Sequence, residues 1–95
     1  MYGILATFTL GPGMRETADK LAEHWEPVLS SLKGSKSATM FGNAETGEYA
    51  ALTLWKTKED EEVAIVDTEA AFQRHVGNIA KEPPTRRIYE VWRTF

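Results

Sequence analysis

The order of strand-like and helix-like segments along the 95 residues, β-α-β-β-α-β, predicts an α+β protein. Each helix-period segment lies between strands, and a loop at residues 42–47 with two glycines and an asparagine joins the second strand to the third. Such a loop predicts an antiparallel hairpin. We therefore expect a single ferredoxin-like domain over residues 1–95, with a four-stranded antiparallel sheet and two helices on one of its faces.

The first half of the chain is predicted to form one strand and one long helix. Apolar and β-branched residues run through Tyr2–Leu10, and the turn residues Gly11–Gly13 end that strand. Apolar residues then recur at helical spacing through Met14–Leu32, as in a helix with one face on a core. Pro27 lies inside this helix, so we expect a bend near Glu23–Trp25.

The second half is predicted to form two strands, a helix in two pieces and a last strand. The elements are strands at Lys36–Phe41 and Tyr49–Trp55, helical segments over about Lys58–Lys81, and a strand at Arg86–Thr94. Thr57 occupies the N-cap position of the helix, with Asp60 three residues later. The helical period slips at Asp67-Thr68, so we expect a break there, with Thr68 capping the second piece.

Three of the predicted strands carry apolar side chains on both faces. In the third strand, Leu52 and Leu54 lie on one face, and Tyr49, Ala51 and Trp55 lie on the other. Two helices cover only one face of a sheet, and a face exposed to water should be polar. The uncovered apolar face predicts an interface, and we expect a homodimer that packs sheet on sheet. The alternative is a monomer whose helices are splayed wide.

Composition excludes several classes of function. The net charge is −3 and no Lys/Arg stripe occurs, so we expect no nucleic-acid partner. No apolar run approaches the roughly 20 residues that span a bilayer, so we expect no membrane association. Cysteine is absent, which excludes disulfides and thiolate metal sites and fits a cytoplasmic protein.

Four short motifs give the chain a resemblance to a known family. They are the Pro-Gly turn Leu10–Met14, the helix end Leu29–Gly34, the strand end Leu52–Thr57 with acidic residues after it, and the last strand Arg87–Val91. With these motifs the chain resembles, over nearly its whole length, the antibiotic biosynthesis monooxygenase (ABM) family of dimeric α+β barrels. The resemblance implies a small dimeric domain with an apolar cleft between its helices and its sheet.

The resemblance also implies two kinds of activity. Some members of the family oxidise polyketide-like aromatics with O2 and no metal or flavin, so no cofactor is expected on that reading. Other members degrade haem and use an Asn on the first strand with a Trp and a His on the second helix. In this chain the strand positions that match the family's Asn are Ala6 and Thr7, neither of which has an amide side chain. The second helix has no Trp, and only His75 corresponds, loosely, to the family's His. Haem degradation is therefore the less favoured activity.

Two histidines are the candidate catalytic residues. His75, with His24 as its rival, lies on a predicted helix, and an unperturbed imidazole titrates near pH 6.5. Either could act as a general base. The alternative for each is an ordinary histidine on a helix flank.

Five further residues are candidates for binding a planar ligand: Trp25, Tyr49, Trp55, Phe72 and Arg74. Their alternative role is in the core or at a dimer interface. The acidic run Glu59–Glu62 could serve a metal or acid–base site, but acidic residues also suit the first turn of a helix, which we favour.

Two functional hypotheses follow. The first is a cofactor-independent monooxygenase that acts on a small hydrophobic or aromatic compound. The second is a non-catalytic dimeric module that binds a small molecule, since fold alone does not decide function. An open cleft of a few hundred Å3 with a His or Tyr pointing into it would favour the enzyme. A cleft filled by Phe8, Leu21, Trp25 and Phe72 would oppose it.

Overall fold

The computed structural model describes residues 1–95 and confirms the predicted order of elements. The strands are β1 (Tyr2–Thr9), β2 (Ser35–Asn43), β3 (Glu48–Trp55) and β4 (Thr85–Glu90), and the helices are α1 (Arg15–Ser30) and α2 (Lys58–Phe72). A π-helical turn at Gln73–Gly77 continues α2. None of these helices is long and apolar enough to cross a membrane.

The four strands form one antiparallel sheet in the order β2-β3-β1-β4. Strand β1 lies inside the sheet, with Ile4 opposite Thr53 of β3 and opposite Ile88 of β4. The short connection between β2 and β3 forms the predicted hairpin. The predicted ferredoxin-like fold is thus confirmed.

The core between helices and sheet consists of two small clusters. Ile4, Trp55 and Ala64 form the first, in which Trp55 is fully buried. Trp25 of α1 packs with Phe72 and Val76 at the end of α2 to form the second. Because neither cluster fills the whole space between the layers, the core leaves room for a cavity.

The start of α2 follows the sequence prediction, but its later course does not. The Thr57 hydroxyl oxygen accepts a hydrogen bond from the Asp60 N–H at 3.0 Å, which confirms the predicted cap. The predicted break at Asp67-Thr68 is wrong, because α2 runs unbroken to Phe72. The Thr68 hydroxyl donates to the Ala64 carbonyl at 2.7 Å, so it bonds back within the same helix and caps nothing.

The remaining boundaries differ by smaller amounts. Helix α1 runs continuously through Pro27, and the bend near Glu23–Trp25 stays a prediction. The last strand ends at Glu90, so the predicted extension to Thr94 is wrong. Beyond it, the Val91 N–H donates to the Met1 carbonyl at 2.9 Å, and the side chain of Trp92 is 85% exposed.

The sheet face away from the helices carries a group of apolar side chains, with polar residues such as Thr7, Thr39 and Arg87 around them. Side chains alternate between faces along a strand, so Leu5, its partner Leu52, and Leu54 all lie on that face. Phe41 and Tyr89 lie on the same face and are 52% and 51% exposed. No element of the chain covers this apolar surface.

Candidate functional site

A cavity of about 420 Å3 lies between α1, the end of α2 and the sheet. Its size falls within the roughly 300–1,000 Å3 that is usual for small-molecule sites. Fifteen of its 21 lining residues are hydrophobic. The sheet contributes Ile4, Ala6 and Phe8, and α1 contributes Ala18, Leu21, Ala22 and Trp25. The cleft is thus open. It is lined, but not filled, by the four large residues Phe8, Leu21, Trp25 and Phe72.

Two lining residues bury polar atoms that have no partner. Trp25 is 7% exposed and Tyr49 is 8% exposed. The Trp25 indole nitrogen makes no hydrogen bond. The Tyr49 hydroxyl makes none of ordinary geometry, although the Arg15 guanidinium lies close enough to it for Tyr49 to raise the pKa of Arg15. A buried donor left unpaired costs about 1–3 kcal/mol. Two residues of the cavity wall therefore bury a polar atom that lacks a partner.

The position of Tyr49 follows from its neighbours on the sheet. It lies opposite Phe8 on β1 and Gly42 on β2. Its ring stacks on Phe8, with centroids 5.9 Å apart and planes 19° from parallel. A Cβ on Gly42 would lie only 2.2 Å from the tyrosine Cδ1, so the glycine makes room for the ring.

The mouth of the cavity carries charged side chains from the first turns of α1. Arg15 and Asp19 both line the cavity and both are exposed. The Arg15 guanidinium lies over the Tyr49 ring, with Cζ 5.7 Å from the ring centroid. The only acidic group that lines the cavity therefore sits at its solvent side.

Arg86 of β4 is the charged group deepest in the wall. Its guanidinium donates to the Thr68 hydroxyl at 2.7 Å and to the Ile65 carbonyl at 3.1 Å, and it pairs with Glu69. Its Cζ also lies 4.6 Å from the centroid of the Phe72 ring. The hydrogen bond from Arg86 lowers the pKa of Glu69, and a second from Gln73 lowers it further. Arg86 thus ties β4 to α2 beside the cavity.

The two histidines meet each other outside the cavity lining. The ring centroids of His24 and His75 are 4.1 Å apart. Both rings approach Trp25 edge-on, at 5.4 Å from His24 and 6.5 Å from His75. Burial lowers the pKa of His75, and the charges of His24 and Arg74 lower it further. The pair lies next to a cavity residue without itself reaching the lining.

The other predicted binding residues divide between cavity and non-cavity positions. Trp25, Tyr49 and Phe72 line the cavity. Trp55 does not, because it is fully buried in the other core cluster, where its indole N–H donates to the Thr53 hydroxyl at 3.0 Å. Arg74 is exposed on the π-helical turn and also lies outside the lining. The structure therefore groups three of the seven predicted site residues around the cavity.

Sequence reasoning named Phe8 only as a side chain that could fill the cleft, and it did not place Arg15 or Arg86 at the site. Alternation along β1 puts Phe8 on the same face as Ile4, which was a usable signal. Arg15 lies seven residues before Ala22, on the face of α1 that lines the cavity. The place of Arg86 at the site could not be predicted from local spacing, because it depends on the register between β4 and β1. In that register Arg86 lies opposite Ala6.

The acidic run contains an unexpected buried group. Glu59, Asp60 and Glu61 do lie in the first turn of α2, as we favoured. Glu61, however, is fully buried and neither carboxylate oxygen has a partner. Burial raises its pKa, and the neighbouring Glu62 raises it further. It does not line the cavity. Nowhere in the chain do three His, Asp or Glu side chains group in a way that could hold a metal ion.

Comparison with known proteins finds the same fold in solved structures but no match in sequence. No family profile matches the chain, and no curated protein matches it in sequence. Among solved structures, a monooxygenase from the gene ActVA-Orf6 of Streptomyces coelicolor, in complex with nanaomycin D, is similar at a TM-score of 0.79. The identity is 16%, and the match covers 99% of this chain and 89% of that one.

Two further solved structures give the same result. SnoaB, a cofactor-independent oxygenase from Streptomyces nogalater, matches at a TM-score of 0.75 and 13% identity over 98% of this chain and 94% of that one. A protein of unknown function from Nitrosomonas europaea matches at 0.80 and 9% identity over 99% and 91%. At these identities the likeness shows a shared fold. Solved structures that bear the name antibiotic biosynthesis monooxygenase, from Nitrosomonas europaea and Caulobacter crescentus, share it as well, so the predicted resemblance to ABM proteins is confirmed at the level of the fold.

Proposed function

We propose that this protein is an ABM-like, cofactor-independent monooxygenase that oxidises a small hydrophobic or aromatic molecule in the cavity between helices and sheet. The observation that carries the proposal is the open apolar cavity with Tyr49 and Trp25 in its wall. The similar folds of a cofactor-independent oxygenase and of a monooxygenase bound to nanaomycin D support it.

The chemistry of such a reaction explains why an apolar cavity would suit it. An acidic C–H of the substrate loses a proton, and the resulting carbanion transfers electrons to O2. The peroxide that forms at this carbon loses water, so a CH2 group and O2 become a carbonyl and H2O. Apolar walls exclude bulk water from the anion, and hydrogen-bond donors stabilise its charge.

The base in this scheme is proposed to be His75, with His24 as its rival. A lowered pKa keeps the imidazole of His75 neutral at pH 7, which is the form that accepts a proton. Both rings contact Trp25 and lie outside the cavity lining. The proton would therefore reach the histidine through a bridging water molecule or after a side-chain movement. In this scheme Trp25, Tyr49 and Phe72 contact the substrate.

Oxygen consumption tests the proposed function. A library of small aromatic molecules is screened by thermal shift, and each hit is assayed with an oxygen electrode. Ala22→Phe would fill part of the cavity and is expected to abolish both binding and oxygen uptake. Glu26→Phe places the same ring on an exposed site of α1 outside the lining and is the matched control. Binding without oxygen uptake for every hit would contradict the enzyme and favour the non-catalytic binding module.

We also propose that two copies of the chain pair through the apolar sheet face. Leu5, Leu52 and Leu54 are half-buried on a face that no element covers. Sedimentation equilibrium should give a dimer at micromolar concentration, and Leu52→Lys should give a monomer. Val66→Lys, on the outer side of α2 where Val66 is 73% exposed, should leave the dimer intact. A monomeric unmodified protein would contradict this proposal.

A further inference from the structure

We propose, on the basis of the function proposed above, that the π-helical turn Gln73–Gly77 converts to α-helical geometry and thereby carries His75 into the cavity. In the present structure His75 lies outside the lining, in contact with His24. The conversion separates the two rings and brings the His75 imidazole to the substrate. The turn is thus a two-state element that delivers the proposed base to the proton it accepts.

The first support is the position of the turn in the cavity wall. Three residues of α2 and its π-helical turn line the cavity, and they follow one another at intervals of four: Thr68, Phe72 and Val76. His75 immediately precedes Val76, yet it is not part of the lining. A rotation of this turn about the helix axis therefore decides which of the two side chains faces the cavity.

The second support is the geometry of the two kinds of turn. Consecutive residues are rotated by about 100° in an α-helix, and by roughly 80° in the wider π-helical turn. The cavity side of the helix is taken as the direction midway between Thr68 and Phe72. His75, three steps after Phe72, then points roughly 100° away from that direction in the π-helical turn and about 40° away in an α-helix. Conversion of the turn therefore rotates His75 by roughly 60° toward the cavity.

The third support is the direction of this rotation. His75 now lies on the side of α2 that faces α1, because it contacts His24. Arg86 of β4 contacts α2 on another side, at Ile65 and Thr68. The cavity lies between α1 and the sheet. A side chain that rotates from the side of His24 toward the side of Thr68 therefore enters the cavity.

The fourth support is that the turn loses no backbone hydrogen bond when it converts. The Asn78 N–H donates to the carbonyl of Gln73, five residues earlier, at 3.2 Å. In an α-helix the same N–H would donate to the carbonyl of Arg74. Gly77 leaves room for the Gln73 side chain, whose Oε1 would lie 2.7 Å from a Cβ at that position, and a glycine also makes the backbone more flexible.

The packing of Val76 explains why the π-helical form is the resting one. Val76 is 2% exposed and packs with Trp25 and Phe72, and the conversion would turn it away from the cavity. A substrate shifts this balance only through a contact that it makes in the converted form alone. Transfer of its proton to His75 is such a contact, because the ring reaches the cavity only in that form.

Deletion of Gly77 tests the geometry. The deletion removes one residue from the turn and places the Asn78 N–H four residues after Gln73, which is the spacing of an α-helical bond. In NMR spectra, nuclear Overhauser contacts between the rings of His24 and His75 should be present in the unmodified protein and lost in the variant. The His75 ring of the variant should instead contact side chains of the cavity lining. Ring contacts that persist in the variant would overturn the inference.

Relaxation-dispersion NMR on the unmodified protein is a second test, which does not require that the deletion variant folds. Exchange on the microsecond-to-millisecond timescale should appear in residues 73–78 and in both histidine rings, with a minor form at about 0.1–10%. His24→Gln removes the ring that His75 contacts in the resting form and should raise the minor population about twofold or more. Glu23→Gln, at an exposed neighbouring site of α1 outside the lining, is the matched control and should leave it unchanged. Flat relaxation profiles throughout the turn would overturn the inference.

Oxygen uptake separates a failure of this inference from a failure of the proposed function. Uptake with an aromatic compound, together with flat relaxation profiles in the turn, would overturn the conversion and leave the oxygenase standing. Exchange of His75 into the lining, with no oxygen uptake for any compound that binds, would support the conversion and contradict the oxygenase.

Discussion

His24 of α1 and His75 of the π-helical turn lie with their ring centroids 4.1 Å apart, tilted by 42°. This contact joins the helix that carries Trp25 to the turn that carries Val76, and both of those residues line the cavity. Two imidazolium ions at this separation would repel each other. Protonation of His75 would therefore place a positive charge against the ring of His24.

The first prediction concerns the stability of the protein in mild acid. The folded state lowers the pKa of His75 below 6.5, so it binds a proton less readily than the unfolded chain does. Stability from this group is complete above pH 6.5 and is lost as the pH falls through the lowered pKa. The free energy of unfolding, measured in urea, should fall between pH 7 and pH 5. His75→Gln should reduce this dependence.

Two variants separate the causes of this effect. His24→Gln removes a neighbouring charge and should reduce the pH dependence in part, while Arg74→Gln should reduce it least, because Arg74 is the smallest cause. Glu61 changes the stability with pH in the opposite direction, because its pKa is raised. The contribution of the histidines is therefore taken as the difference in the free energy of unfolding between the unmodified protein and each variant. An unchanged slope in His75→Gln would show that His75 does not titrate in this range.

The second prediction concerns Arg86. The Arg86 side chain is 11% exposed, and its guanidinium donates to Thr68 and to the Ile65 carbonyl, so Arg86→Met should lower the free energy of unfolding by about 2–3 kcal/mol. Its partner Glu69 is 55% exposed, and Glu69→Gln should cost only about 1 kcal/mol or less. Urea unfolding measures both. Equal losses would mean that the exposed ion pair, and not the buried hydrogen bonds, provides the stabilisation.

Local sequence patterns were sufficient to predict the elements and their order. The Thr57 cap, the hairpin after β2 and the apolar second face of β3 each depend on residues close together in the chain. The break at Asp67-Thr68 was wrong because a slip in apolar period does not end a helix whose threonine bonds back to the preceding turn. The irregular turn forms later, at Gln73–Gly77.

The site could be predicted only in part, because its geometry depends on long-range packing. Trp25 and Tyr49 were recognisable as large residues with one polar atom. Nothing in the sequence indicated that Trp55 would be enclosed in the other cluster, or that His24 and His75 would meet. Likewise, the sequence did not distinguish Glu61 from its acidic neighbours, and only the folded structure shows that it is buried.

The third prediction concerns this buried carboxylate. The folded state raises the pKa of Glu61 above 4.5, so stability from this group is present below pH 4.5 and is lost as the pH rises through the raised pKa. Glu61→Met keeps a similar volume without an unpaired polar group. It should raise the free energy of unfolding at pH 8 by about 1–3 kcal/mol.

The neighbouring residue provides the control for Glu61. Glu62 is 58% exposed and only pairs with Lys58 at 3.9 Å. Glu62→Met should therefore change the free energy of unfolding by less than about 0.5 kcal/mol. A Glu61→Met variant that is less stable than the unmodified protein at pH 8 would show that the carboxylate has a partner in solution.

The fourth prediction concerns the contact between two glycines that positions the start of α1. Gly47 has a φ of +79°, and a Cβ added to it would lie 2.1 Å from the carbonyl carbon of Gly11. Its own carbonyl accepts from the Leu10 N–H at 2.8 Å. This contact fixes the loop that leads into Arg15, at the mouth of the cavity.

Gly47→Ala should therefore lower the free energy of unfolding more than Gly13→Ala does. Gly13 has a similar φ of +76° but open space around the added Cβ, so Gly13→Ala should cost only the roughly 1–2 kcal/mol of a left-handed alanine. Gly47→Ala adds a clash with backbone and should cost about 1–3 kcal/mol more. Urea unfolding of the two variants measures the difference, and equal losses would mean that the two loops separate in solution. Because the loop leads to Arg15, Gly47→Ala should also weaken ligand binding in the proposed site, whereas Gly13→Ala should weaken it less.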